Sequence, residues 1–180
     1  GTYSVTRTVA GCASAAGTTT VVVNALPATP TVSSNSPVCT GTTINLSTPA
    51  VSGGTYNWTG PNSFTSTLQN PSISNASSAN AGTYSVTVTV AGCTSLAGTT
   101  AVVVSAPPST PTPGSNSPVC AGGTINLTTP TVSGATYSWT GPNSFTSSLQ
   151  NPSISNATLA MAGNYSVTVA FSGCTSAAGT

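Results

Sequence analysis

Gly82-Thr-Tyr-Ser-Val-Thr-Val-Thr-Val90 decides the fold. Tyr84, Val86, Val88 and Val90 share one face, and Thr83, Ser85, Thr87 and Thr89 share the other. A side-chain period of two with β-branched residues marks a strand with one side in a core and one in water. The stretch recurs: Gly1-Thr-Tyr-Ser-Val-Thr6 begins 81 residues earlier and Gly163-Asn-Tyr-Ser-Val-Thr168 begins 81 later. The chain therefore reads as a tandem array. Residues 1–26 are the closing strands of a first repeat, 27–107 a complete repeat, and 108–180 a repeat without its last strand. A unit of 81 residues holds one modest core, and domains that small commonly add covalent staples.

Outward from the signature strand, the complete repeat offers further short strands. Thr43-Ile-Asn-Leu-Ser47 alternates with Ile44 and Leu46 inward. Thr55-Tyr-Asn-Trp-Thr59 puts Tyr56 and Trp58 on one face, Ser63-Phe-Thr65 opens another strand, and Ser72-Ile-Ser-Asn75 is a short one. Gly53-Gly54, Gly60-Pro-Asn62 and Leu96-Ala-Gly98 are turn signals, and Thr99–Val104 closes the sheet. About seven short strands with turns every 8 to 12 residues predict an all-β sandwich. Trp58 and its counterpart Trp139 belong in its cores. In the first repeat, Thr2–Val9 and Thr18–Val23 are expected to form a hairpin. Leu26-Pro-Ala-Thr-Pro30 and Ala106–Pro113 are proline-rich joints, whose extended backbone should hold neighbours in line.

The charge inventory excludes whole classes of function. There is one basic residue, Arg7, and no Asp, Glu or His, so charged residues make up 1% of the chain. An average soluble domain carries roughly 25%. The chain has no basic face for nucleic acid or anionic lipid. Calcium sites need carboxylates. General acid–base catalysis needs groups that are missing, and a serine nucleophile would have no base. The reading is not an enzyme, with no metal and no cofactor. No apolar run reaches the roughly 18 to 20 residues of a membrane helix, so membrane insertion is not expected. A nearly uncharged surface favours association. Hydroxyls from abundant Ser and Thr, sugars attached to them, or assembly into a filament would each make it tolerable. Arg7 stands where the other copies have Val88 and Val169, on the inward face, and must reach water, backbone carbonyls or a sugar.

Five cysteines follow the period. Cys12, Cys93 and Cys174 are one position; Cys39 and Cys120 are a second. Pairing within repeats gives Cys39–Cys93 and Cys120–Cys174, with Cys12 free or paired outside these residues. The alternative is buried free thiols. Regular pairing points to an oxidising, extracellular compartment.

Trp58, Ser72-Ile-Ser-Asn75 and Asn80-Ala-Gly-Thr-Tyr84 together resemble the immunoglobulin-like superfamily. The last resembles its D-x-G-x-Y tyrosine corner, which implies hydroxyl-to-backbone bonds at Tyr84 and at the equivalent Tyr3 and Tyr165. Two departures stand out. Asn80, and Met161 in the next copy, replace the Asp, and the inter-sheet cysteine pair of antibody domains is missing. Ser36–Leu46, Thr55–Ser66 and Gln69–Asn75 are similar in wording to tandem Ig-like and PKD-like repeats of large secreted Bacteroidota proteins. That resemblance implies an exported stalk or adhesin and no activity.

Sugar enters this reading in two ways. N-x-S/T occurs at Asn45, Asn57, Asn75, Asn126, Asn156 and Asn164, although such triplets also arise by chance in a chain this rich in Asn, Ser and Thr. The Pro-Thr-rich joints offer hydroxyls for further glycans. Tyr56, Trp58 and Phe64 could stack on a bound sugar, but an aromatic central to an alternating strand is more often core. The expectation is a cell-surface or extracellular filament or stalk whose partners are neighbouring copies of itself. An adhesin or carbohydrate-binding module is the competitor. Copies would be joined along one longer secreted polypeptide, with strand donation between chains as the alternative.

Overall fold

The computed structural model describes residues 1–180. In the middle repeat the signature strand spans Gly82–Val90 and is the centre of a five-stranded antiparallel sheet. Thr55–Gly60 pairs along one side, with Trp58 opposite Val86, and Gly98–Val102 along the other, with Gly98 opposite Val86. Phe64–Ser66 extends the sheet beyond Thr55–Gly60, and Cys93–Thr94 folds back on the far end of the signature strand. The facing sheet centres on Ile44–Ser47, between Ser33–Ser34 and Ser72–Ile73. Val38–Cys39 then pairs in parallel with Val104–Ser105. Because the side-chain period is two, each sheet turns one apolar row inward. Ile44 and Leu46 from one sheet meet Trp58, Tyr84, Val86 and Val102 from the other, and together with Val38 and Ala76 they form one buried cluster. This is an all-β, immunoglobulin-like sandwich. Full burial of each large apolar side chain contributes about 1.5–3 kcal/mol before entropy is counted.

Residues 108–180 rebuild these elements. Ile125–Thr128 lies between Gly114–Ser115 and Ser153–Ile154. Thr136–Gly141 lies between Phe145–Ser147 and Ser166–Phe171. The path ends with Gly179 bridged to Val167, matching Gly98 on Val86. A groove of about 260 Å³ is lined in part by Val119, Ile125, Leu127 and Tyr165. The fully buried cluster shrinks to Leu127, Trp139 and Val167. Tyr165 is half-buried where Tyr84 is fully buried.

Residues 1–26 form a hairpin, Thr2–Val5 against Gly17–Thr20, extended by Thr8–Val9 against Cys12–Ala13. The second strand begins at Gly17 and stops at Thr20, so Val21, Val22 and Val23 of the expected strand Thr18–Val23 lie outside it. Tyr3 is 64% exposed. Arg7 is exposed as well, and its backbone exchanges hydrogen bonds with Ser14.

The joints pack against the repeats they precede. A Cβ on Gly98 would overlap the Pro30 carbonyl, and one on Gly179 would overlap the Pro111 carbonyl. Only glycine lets the incoming chain lie this close to the last strand.

Candidate functional site at the joint between repeats

The aromatic residues singled out as possible sugar platforms have structural roles. Trp58 and Trp139 are fully buried. Trp139 Nε1 donates to the Gln150 carbonyl at 3.2 Å, while Trp58 Nε1 has no partner. Tyr56 Oη accepts the Val51 N–H at 2.9 Å, and Tyr137 Oη accepts the Val132 N–H at 2.8 Å, which ties each hydroxyl to its own loop. The Phe64 ring meets Tyr84 edge-on with centroids 5.5 Å apart, and Phe145 meets Tyr165 in the same way.

The tyrosine corner forms in both later repeats. Tyr84 Oη donates to the Asn80 carbonyl at 2.8 Å, and Tyr165 Oη to the Met161 carbonyl at 2.9 Å. The acceptor is backbone, so Met161 serves as well as Asn80 does. What Asn80 adds is a cap: its Oδ1 accepts from Ser77 N and Ser77 Oγ at 2.9 and 3.0 Å. Burial pushes the Tyr84 phenol above its usual value of about 10. A group whose native pKa is raised contributes fully below its unfolded pKa, and the contribution is lost as pH climbs through the native one. The middle repeat should therefore lose stability above about pH 10. Tyr84→Phe should flatten that alkaline arm at a cost of about 1 kcal/mol for the lost hydrogen bond. Urea midpoints measured between neutral and strongly alkaline pH would read both effects.

Asn45, Asn57, Asn75, Asn126, Asn156 and Asn164 are all exposed. Asn75 and Asn156 sit at left-handed turn positions, with φ of 53° and 55°. Asn126 Oδ1 accepts from Ser153 Oγ at 2.8 Å.

The cysteines correct the expectation of pairing within repeats. Cys39 is bonded to Cys174, with Cα atoms 5.5 Å apart across a sequence separation of 135. Cys93 and Cys120 remain thiols, as does Cys12. The reason is where each cysteine falls along the sandwich. Cys39 lies beside Ser105, where the middle repeat ends. Cys93 lies just past the turn that ends the signature strand, with Sγ 3.8 Å from the Asn24 carbonyl of the preceding joint. The signature strand separates these two ends, since Cys93 pairs with Val90 while Val102, just before Val104–Ser105, pairs with Gly82; Gly82 to Val90 spans roughly 27 Å at strand rise. A disulfide tolerates at most about 7 Å between Cα atoms. Cys39 therefore faces the next repeat. The hairpin turn of that repeat brings Cys174 to it, with Cys39 Sγ 3.4 Å from the Gly173 carbonyl and Cys174 Sγ 3.6 Å from the Ser105 carbonyl.

The joint thus gathers three features within a few residues: the parallel pairing of Val38–Cys39 with Val104–Ser105, the proline-rich connection, and a covalent bridge between repeats. Parallel first and last strands have a mechanical consequence. Once the Cys39–Cys174 bridge is reduced, a pull on the two ends of the repeat slides these strands past each other, so the bonds from Val38 N to Val103 O (3.0 Å) and from Thr40 N to Ser105 O (2.9 Å) are loaded together and not one after another.

No protein-family profile and no curated protein sequence matches the chain. Among solved structures it is similar to a chain in the crystal structure of the mouse coronavirus receptor-binding domain complexed with its murine receptor. The TM-score is 0.52 at 14% identity, covering 83% of this chain and 96% of that one. It is also similar to murine CEACAM1b, with TM-score 0.47 at 14% identity over 83% and 96%. The three N-terminal domains of the bacteriophage RB49 highly immunogenic outer capsid protein match with TM-score 0.43 at 20% identity, over 78% and 53%. The first likeness shows the fold alone, an immunoglobulin-like β-sandwich.

Proposed function

We propose that this chain is a structural component of an extracellular filament or cell-surface stalk, built from tandem immunoglobulin-like repeats and carrying load along its length. It is non-catalytic, it is exported, and its partners are neighbouring copies of itself. The observation that carries this reading is the joint: Cys39–Cys174 bonds one repeat covalently to the next, and the parallel strand pair beside it would take the load in shear if that bond were reduced. A disulfide also fits an oxidising, extracellular setting. The nearly uncharged surface fits assembly, and the exposed Asn45, Asn57, Asn75, Asn126, Asn156 and Asn164 are available for glycan. The likeness in wording to secreted Bacteroidota repeat proteins supports the same setting.

Electron microscopy of the natively secreted material tests it. Long fibres with an axial repeat of one or a few domains are expected. Soluble monomers that bind on a glycan array would replace this reading with that of an adhesin or carbohydrate-binding module. The buried Trp58 and the tethered Tyr56 weigh against that alternative.

A further inference from the structure

We infer that Cys93 and Cys120 are open positions of a continuing ladder, each taking a cysteine from an adjoining repeat of this same kind. Every repeat in a tandem array would then be bonded to both neighbours and none within itself. The inference rests on the tandem-array reading and can fail separately from it.

Two independent matches across the 81-residue period carry the inference. The first is at the position of Cys174. Its sulfur lies 3.6 Å from the carbonyl of Ser105, and the sulfur of Cys93 lies 3.8 Å from the carbonyl of Asn24. Cys93 and Asn24 each precede their counterparts by one period, so Cys93 already occupies the docked geometry of the bonded cysteine and lacks only a sulfur partner. The second is at the position of Cys39. Thr42 N donates to the Cys39 carbonyl at 3.1 Å and Gly41 N to the Ala76 carbonyl at 2.7 Å. Around Cys120, Gly123 N donates to the Cys120 carbonyl at 3.0 Å and Gly122 N to the Ala157 carbonyl at 2.8 Å. The backbone that presents Cys39 to the next repeat is repeated at Cys120. Neither thiol has a partner in its own repeat, because the two cysteine positions sit at opposite ends of the sandwich.

Closure requires an oxidant, and a low-molecular-weight disulfide such as oxidised glutathione suffices. One protein thiolate attacks a glutathione sulfur, forming a mixed disulfide and releasing one glutathione thiolate. The second protein thiolate attacks the protein sulfur of that mixed disulfide and releases the other. Two protein thiols are oxidised, one glutathione disulfide is reduced, and the protons end on the two glutathione thiols. In the finished ladder, tension crossing a pair of repeats passes through sulfur as well as through the proline-rich joint.

The test extends the full chain by one repeat, appending residues 100–180 again after Thr180. The protein is folded in a glutathione redox buffer and digested without reduction, and its linked peptides are identified by mass spectrometry. The expected result is Cys120 bonded to the appended counterpart of Cys174, with Cys39–Cys174 retained and Cys93 alkylatable or capped by glutathione. Cys39→Ser in the same extended chain should free Cys174 and leave the new Cys120 bond in place. Linkages of Cys39 to Cys93 and Cys120 to Cys174 would overturn the ladder, as would a Cys120 that stays fully alkylatable in the folded protein. Fibres made of chains with within-repeat bonds would sink the ladder and leave the structural reading standing. Inter-repeat bonds in a protein that forms no fibres would do the reverse.

Discussion

Cys39→Ser should lower the stability of the two linked repeats by several kcal/mol. The bond closes a loop spanning 135 residues. The chain-entropy model puts the stabilisation from a loop of that length at about 5 kcal/mol at 25 °C. The effect acts on the unfolded chain, so the native fold of each repeat should survive the substitution. Urea unfolding followed by the fluorescence of the buried Trp58 and Trp139 reads both repeats. A reducing agent should reproduce the shift in the parent chain and change nothing in the Cys39→Ser variant. Cys12→Ser, at an exposed free thiol, should be neutral. If Cys39→Ser and Cys12→Ser behave alike, the bridge between repeats is not formed.

Trp58→Ala should remove most of the stability of the middle repeat. Trp58 is fully buried within the cluster that joins Ile44 and Leu46 of one sheet to Tyr84, Val86 and Val102 of the other. Truncating a buried aromatic costs about 3–5 kcal/mol, the lost transfer energy plus the cavity left behind. Small domains hold only about 5–15 kcal/mol in total. The variant should therefore unfold at much lower urea and lose near-ultraviolet circular dichroism first. A binding role for Trp58 predicts the opposite: an unchanged urea midpoint with loss of sugar affinity. The same substitution at Trp139 acts on a smaller cluster, with Leu127 and Val167.

Much of this molecule is legible in its sequence because the relevant physics is local. Alternation in Gly82–Val90 places Tyr84, Val86 and Val88 in the core, as observed. The Asn80–Tyr84 spacing yields a hydroxyl-to-backbone bond whatever residue stands at the first position, and Met161 bears this out. The cysteine partners are not local in this sense. Repeat spacing says which cysteines are equivalent but not which end of the sandwich each occupies. That depends on where the signature strand ends and on the parallel pairing of Cys39 with Ser105. A signal was present: Cys93 follows the far end of the signature strand by only three residues, whereas Cys39 precedes the Ile44 strand. Tracing strand direction would have set the two apart.

Pulling a single 180-residue chain by its two ends tests the load-bearing joint most directly. Without reductant, the account predicts that residues 39–174 release no length, since Cys39–Cys174 spans both repeats. With reductant, it predicts an abrupt step as the parallel strands of the middle repeat shear apart. Up to roughly 470 Å of contour becomes available once both repeats spanned by the 135-residue separation have unfolded, at about 3.5 Å per residue. Full extension at low force in the absence of reductant, with no abrupt step, would contradict it.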